Sequence, residues 1–193
     1  MNAAMMKSVA ALMPALLLTA CANLTPAVTA SAGPDAEAGY IAGLFNRNGW
    51  SFAIRIRAVD GAEEYVMPMG EDTRLPADLL GSTVAIKVRP GRYAVSGLFT
   101  YTTLSKEIIS KAPGVTGFLG APFDVKPGAV THLGEFTVES KRTGVPGKDA
   151  VRYDMRVHPH ATLERDVAAA FRAAYPKLAG LEIRCLPCAA GAP

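Results

Sequence analysis

The chain has 193 residues, a formal net charge of +3, 50% hydrophobic and 19% charged residues, and three cysteines. This is the length of one domain or two small ones; the apolar share excludes a disordered chain, and the mild charge excludes a dedicated nucleic-acid binder. Glycine (18) and proline (14) together favour many turns and short strands over long helices.

The chain begins with a single charge, Lys7, ahead of an apolar run over 8–18 that Pro14 interrupts. Eleven helical residues rise about 16 Å, half of a hydrocarbon core, so the run predicts a secretory signal peptide and not a spanning helix. The run ends in Leu18-Thr19-Ala20-Cys21. This resembles the lipobox of bacterial lipoproteins, in which a Leu and two small residues precede a Cys. The resemblance implies a diacylglycerol on the Cys21 thiol, cleavage before it, and a membrane anchor of several acyl chains; no other cofactor is expected. Ala22 stands where lipoproteins kept in the inner membrane usually carry Asp, so the same resemblance implies the outer membrane. Residues 1–20 are thus the expected signal peptide.

Residues 21–38 are small residues, Thr, Ser and Pro with no aromatic, and predict a flexible tether with a reach of roughly 20–25 Å. From 39 onward the pattern has period two. In 50–59, Phe52, Ile54 and Ile56 alternate with Ala53, Arg55 and Arg57, which predicts a strand with one wet face. Val84, Ile86 and Val88 repeat the pattern, and after the Pro90-Gly91 turn Tyr93, Val95, Phe99 and Tyr101 carry a long strand. Stretches 130–138 and 151–157 supply two more, and 40–45, 64–69, 106–111 and 123–125 weaker ones. Residues 39–193 therefore predict an antiparallel β-sandwich, mainly β and immunoglobulin-like in class. One amphipathic helix is expected near 161–175, capped by Thr162 and stopped by Pro176, covering an open end or face. The segments 88–95 and 123–134, each turning at Pro-Gly, are similar to prealbumin-like and PEGA-like modules of envelope lipoproteins. That resemblance implies the fold and little about function.

Candidate chemistry is sparse. Cys185 and Cys188, three apart, are expected to form a local disulfide in an oxidising compartment; redox exchange and metal binding are the alternatives. His158 and His160 with Met67 and Met69 would suit copper by ligand softness, against ordinary surface histidines and half-buried methionines. No nucleophile elbow, zinc-protease motif or phosphate loop is present, so no enzyme is expected. The Gly-rich stretch 111–122 either presents Val115, Phe118 and Leu119 to a partner or folds them onto the core. Arg55, Arg57, Lys87, Arg89, Arg92, Arg152 and Arg156 would form one basic face if their strands were neighbours. The expected function is a lipid-anchored envelope protein that binds or braces another envelope protein or glycan, with a metal or thiol-redox protein as the alternative.

Overall fold

The structure is a computed structural model that describes residues 23–48, 51–69, 79–102, 105, 108–112, 117–143 and 152–188. Ten strands occur among them: β1 (Gly39–Asn48), β2 (Ser51–Ala58), β3 (Glu64–Pro68), β4 (Leu79–Val88), β5 (Gly91–Tyr101), β6 (Ile108–Ala112), β7 (Phe123–Val125), β8 (Ala129–Thr143), β9 (Arg152–Pro159) and β10 (Glu182–Cys185). One helix, α1 (Glu164–Ala174), separates the last two.

The strands build two sheets, each four strands across. One runs β10–β8–β1–β4, with β9 pairing farther along the same edge of β8 as β10. The other runs β3–β2–β5–β6, with β7 on the same edge of β5 as β6. The second sheet is antiparallel throughout, as expected. The first is mixed: β8 runs parallel to both β1 and β10. Alternation along one strand says nothing about its neighbour's direction, so these parallel pairs were not legible.

Between the sheets lies the larger core, filled by Ile41, Phe45, Phe52, Ile54, Ile56, Met67 and their neighbours. Phe45 and Phe136 are register partners on β1 and β8, and their rings stack with centroids 5.9 Å apart. Phe45 also folds back over Gly43, where a Cβ would come within 2.4 Å of the ring. Gly43 is therefore a packing requirement of that phenylalanine.

In both central strands the alternation changes phase part-way. On β5, Tyr93 and Val95 face the inter-sheet core, the register slips opposite Arg55 and Ile56, and Leu98 takes over the inner face. Phe99 and Tyr101 consequently lie on the outer face with Ala53 and Val66, not in phase with Tyr93 and Val95 as the sequence pattern predicted. On β8, Val130 faces outward, the register slips after His132, and Leu133, Phe136 and Val138 face inward. Each is a bulge next to a glycine, Gly97 or Gly134.

Helix α1 lies on the outer face of the mixed sheet. Phe171, Tyr175 and Leu178 pack on Tyr40, Ala42, Ala85 and Val130, and the small Ala42 and Ala85 let the helix come close. Burying Phe171 alone contributes about 1.5–3 kcal/mol. The expected cap is corrected: Leu163, not Thr162, is the N-cap residue and its side chain caps nothing, because the Thr162 hydroxyl bonds the Glu135 carboxylate instead. Glu164 and Asp166 in the first turn and Arg172 in the last complement the helix dipole.

From Asn23 to Ala38, most of the expected tether, the chain runs along the sandwich. Thr25 bonds the free edge of β3 through Val66, Ala27 forms a bridge with Ile86, and Val28 donates to the Ala85 carbonyl on the free edge of β4. This strap covers two edges that would otherwise offer unpaired backbone groups, one from each sheet. Composition reads flexibility from small polar residues, but those same residues fit closely along a strand edge.

Candidate functional site

The β2–β3 and β4–β5 turns meet at one end of the sandwich, and charged groups gather there. Glu63 accepts a hydrogen bond from the Arg89 guanidinium at 2.6 Å and one from the Tyr93 hydroxyl at 3.3 Å. The single Tyr93 proton is shared between that carboxylate and the nearer Arg89 carbonyl at 2.8 Å, and the Arg89 backbone N–H donates to the Tyr65 hydroxyl at 3.1 Å. The two tyrosine rings meet edge to face, 5.8 Å between centroids. Burial, then the neighbouring Tyr65 and Glu63, push the Tyr93 phenol well above its ordinary pKa, so it stays a donor. Asp35 pairs with Lys87 at 3.4 Å; the Glu37 N–H and then Lys87 hold its carboxyl below the usual range.

Two open depressions flank this clasp. One, about 510 Å³, is lined by Asp60, Gly61, Glu63, Arg92 and Tyr93 among others. The second, about 260 Å³, is lined by Asp35, Glu37, Tyr65, Lys87 and Arg89 among others. Both carry charges of both signs. Such a surface suits a neutral or zwitterionic partner rich in hydrogen bonds better than a polyanion.

A second polar cluster sits on the mixed sheet near the start of α1, because the β8 bulge turns Glu135 and Thr137 outward. The Glu135 carboxylate accepts bonds from the Asn46 amide and the Thr162 hydroxyl, both at 3.0 Å. His160 Nε2 lies 2.7 Å from the Thr137 hydroxyl, and the His160 N–H donates to the Glu135 carbonyl. His132 is fully buried on β8. Its Nδ1 accepts the Gly134 N–H at 3.0 Å, which assigns the ring proton to Nε2. Nε2 has no hydrogen-bond partner among the described residues, and burial pushes the imidazole pKa down to about 4. The Glu135 carboxylate is occupied by two donors and His160 is held through both its ring and its backbone N–H, so the cluster fixes the chain ahead of α1 to the sheet.

Cys185 and Cys188 stand at disulfide distance, their Cα atoms 5.4 Å apart. Cys185 ends β10 in register with His132, and Pro187 between the cysteines packs on Gly134. Leu119 belongs to the inter-sheet core and is not presented to a partner. Cys21, the lipobox, Val115 and the Phe118 side chain lie outside the described residues, as does the His158 side chain. Met67 and Met69 are buried between the sheets, away from any surface where copper donors could converge. Among the described residues no group of three His, Cys, Asp or Glu is arranged to hold a metal.

The expected basic face is split between the two sheets, β2 and β5 in one and β4 in the other, and four of its five described side chains, all but Arg92, pair with carboxylates. Arg55 and Arg57 both pair with Glu64 across the β2–β3 ladder, Lys87 pairs with Asp35 and Arg89 with Glu63. The opposite sign comes from Glu64 on the neighbouring strand, Glu63 in a turn and Asp35 in the segment before β1, which one strand's alternation cannot reveal. Sequence reasoning also gave no role to the hydroxyls of Tyr65 and Tyr175, which bond backbone far along the chain, or to that of Tyr93, which bonds the Arg89 carbonyl four residues back. Tyr175 directly precedes Pro176, the one local hint of a special position.

No protein-family model matches the chain, and no curated protein matches it. Among solved structures it is similar to a leucine-rich repeat protein from Bacteroides thetaiotaomicron, with 13% identity and a TM-score of 0.34. That match covers 52% of this chain and 12% of the other, and a likeness this low carries no argument.

Proposed function

We propose that this chain is a lipid-anchored envelope protein, held at the outer membrane through Cys21, whose β-sandwich binds or braces another envelope protein or glycan without catalysing a reaction. The observation that carries the reading is Leu18-Thr19-Ala20-Cys21 closing a short apolar run behind Lys7. The sandwich supports it by offering a rigid body with a mixed-charge turn end, where Glu63, Arg89, Arg92 and Lys87 can exchange hydrogen bonds with a polar partner. Among the described residues Val59 is the only exposed large hydrophobic, which favours a polar contact over an apolar one.

The redox alternative is weaker. Cys185 lies on a strand, not at a helix N-terminus, the position that activates the thiol in exchange motifs.

Intact mass of the full chain from bacterial membranes tests the anchor. The expected product begins at Cys21 and carries a diacylglyceryl group; Cys21→Ala is expected to remain unacylated and uncleaved. Acylation that persists in Cys21→Ala, or none in the parent, overturns the reading. Crosslinking in the intact envelope, compared with a Glu63→Lys/Arg92→Glu variant, tests whether the turn end makes the contact.

A further inference from the structure

We infer that the strap presses the outer face of the β3–β2–β5–β6 sheet toward the lipid surface, with α1 turned away from it. The inference rests on the reading of Cys21 as the acylated residue and adds an orientation to it. A 17-residue flexible tether would let the domain tumble at roughly 20–25 Å from its anchor. The chain is tied down long before that length is used. Leu24 packs against the outer-face cluster of Ala53, Val66, Phe99 and Tyr101. Thr25 makes two hydrogen bonds to Val66, and Val28 a third to Ala85.

Cys21 lies three positions before Leu24, a span of at most about 11 Å even when fully extended. The acylated residue must therefore lie close to the face that Leu24 covers. On the far side, the mixed sheet adds about 10 Å and the helix layer about 10 Å more. A residue on the exposed side of α1 is thus about 20 Å farther from the anchor than one on the outer face of β2. Arg57 is exposed on that face of β2, and Ala169 is exposed on α1.

The experiment uses the acylated full chain in phosphatidylethanolamine–phosphatidylglycerol vesicles doped with a headgroup-quencher lipid. A fluorophore is placed on the single free thiol of Arg57→Cys or of Ala169→Cys. Quenching is expected to be several-fold stronger at 57 than at 169. Inserting twelve Gly/Ser residues between Ala22 and Asn23 adds a reach of about 20 Å and is expected to abolish the difference while the protein still floats with the vesicles. Equal quenching at the two positions in the parent overturns the orientation. A mass showing unmodified Cys21 overturns the anchor itself, and the two failures are read separately. Amide exchange at Thr25 and Val28, slow if the strap is closed, shows that the labelled variants keep the parent's fold.

Discussion

Thr25 and Val66 hold each other by two hydrogen bonds. The Thr25 N–H donates to the Val66 carbonyl at 2.8 Å, and the Val66 N–H donates to the Thr25 hydroxyl at 2.9 Å. One threonine thus satisfies both backbone groups that Val66 presents on the free edge of β3. Thr25→Ala removes the second bond and is expected to lower stability by about 1 kcal/mol, with Thr25→Ser close to the parent. Urea unfolding of the three proteins checks this; an unchanged Thr25→Ala would mean that the strap contributes nothing at this point.

Ala85 is served the same way on the edge of β4, by two different elements. Its carbonyl accepts the Val28 N–H at 2.8 Å and its N–H donates to the Tyr175 hydroxyl at 3.0 Å. Tyr175→Phe leaves a buried N–H unpaired, at an expected cost of about 1–3 kcal/mol. Hydrogen exchange at the Ala85 amide is expected to accelerate in this variant, and an unaltered rate would exclude the bond.

Gly134 has φ +105°, and a Cβ there would stand 2.6 Å from Pro187 Cγ. Gly134→Ala is therefore expected to cost about 1–3 kcal/mol, through backbone strain and displacement of the Cys185–Cys188 loop. Gly97→Ala is the control: a Cβ at Gly97 meets nothing within 4 Å, so a loss within about 1 kcal/mol is expected. Similar thermal midpoints for the two variants would contradict this account of the bulge.

His132 predicts an acid-sensitive fold. Its pKa is about 4 in the native state against 6.5 for the free group, so between those values the unfolded chain binds more protons. Stability rises with pH across that window and is lost as pH falls from 6.5 toward 4, by about 3 kcal/mol in total. His132→Asn removes this component, so the difference between parent and variant should flatten above pH 6.5. Parallel curves from pH 4 to 7 would show that the imidazole does not titrate as its burial demands.

Much of the sandwich was legible in the amino-acid order because a strand's alternation is written locally. Phe52, Ile54 and Ile56 face the core as their spacing requires, and the Pro90-Gly91 turn falls where β4 ends and β5 begins. Strand β10 was missed: four residues, two of them charged, carry no countable period. The clasp of Glu63, Arg89 and Tyr93 was not legible either, because it joins two turns about 30 residues apart.

By itself the sequence determined most of the strands, the Pro90-Gly91 turn, the helix and the spacing of the cysteine pair, since each depends on residues adjacent in the chain. Only the tertiary structure decided the phase changes at Gly97 and Gly134, which place Phe99 outside and Phe136 inside. A bulge is a mismatch between two paired strands, so one strand's pattern cannot contain it. The same holds for the arginines, which acquire their meaning from Glu63 and Glu64 across the fold, and for residues 23–38. Their composition permits a free tether, and the unpaired edges of β3 and β4 bind them as a strap.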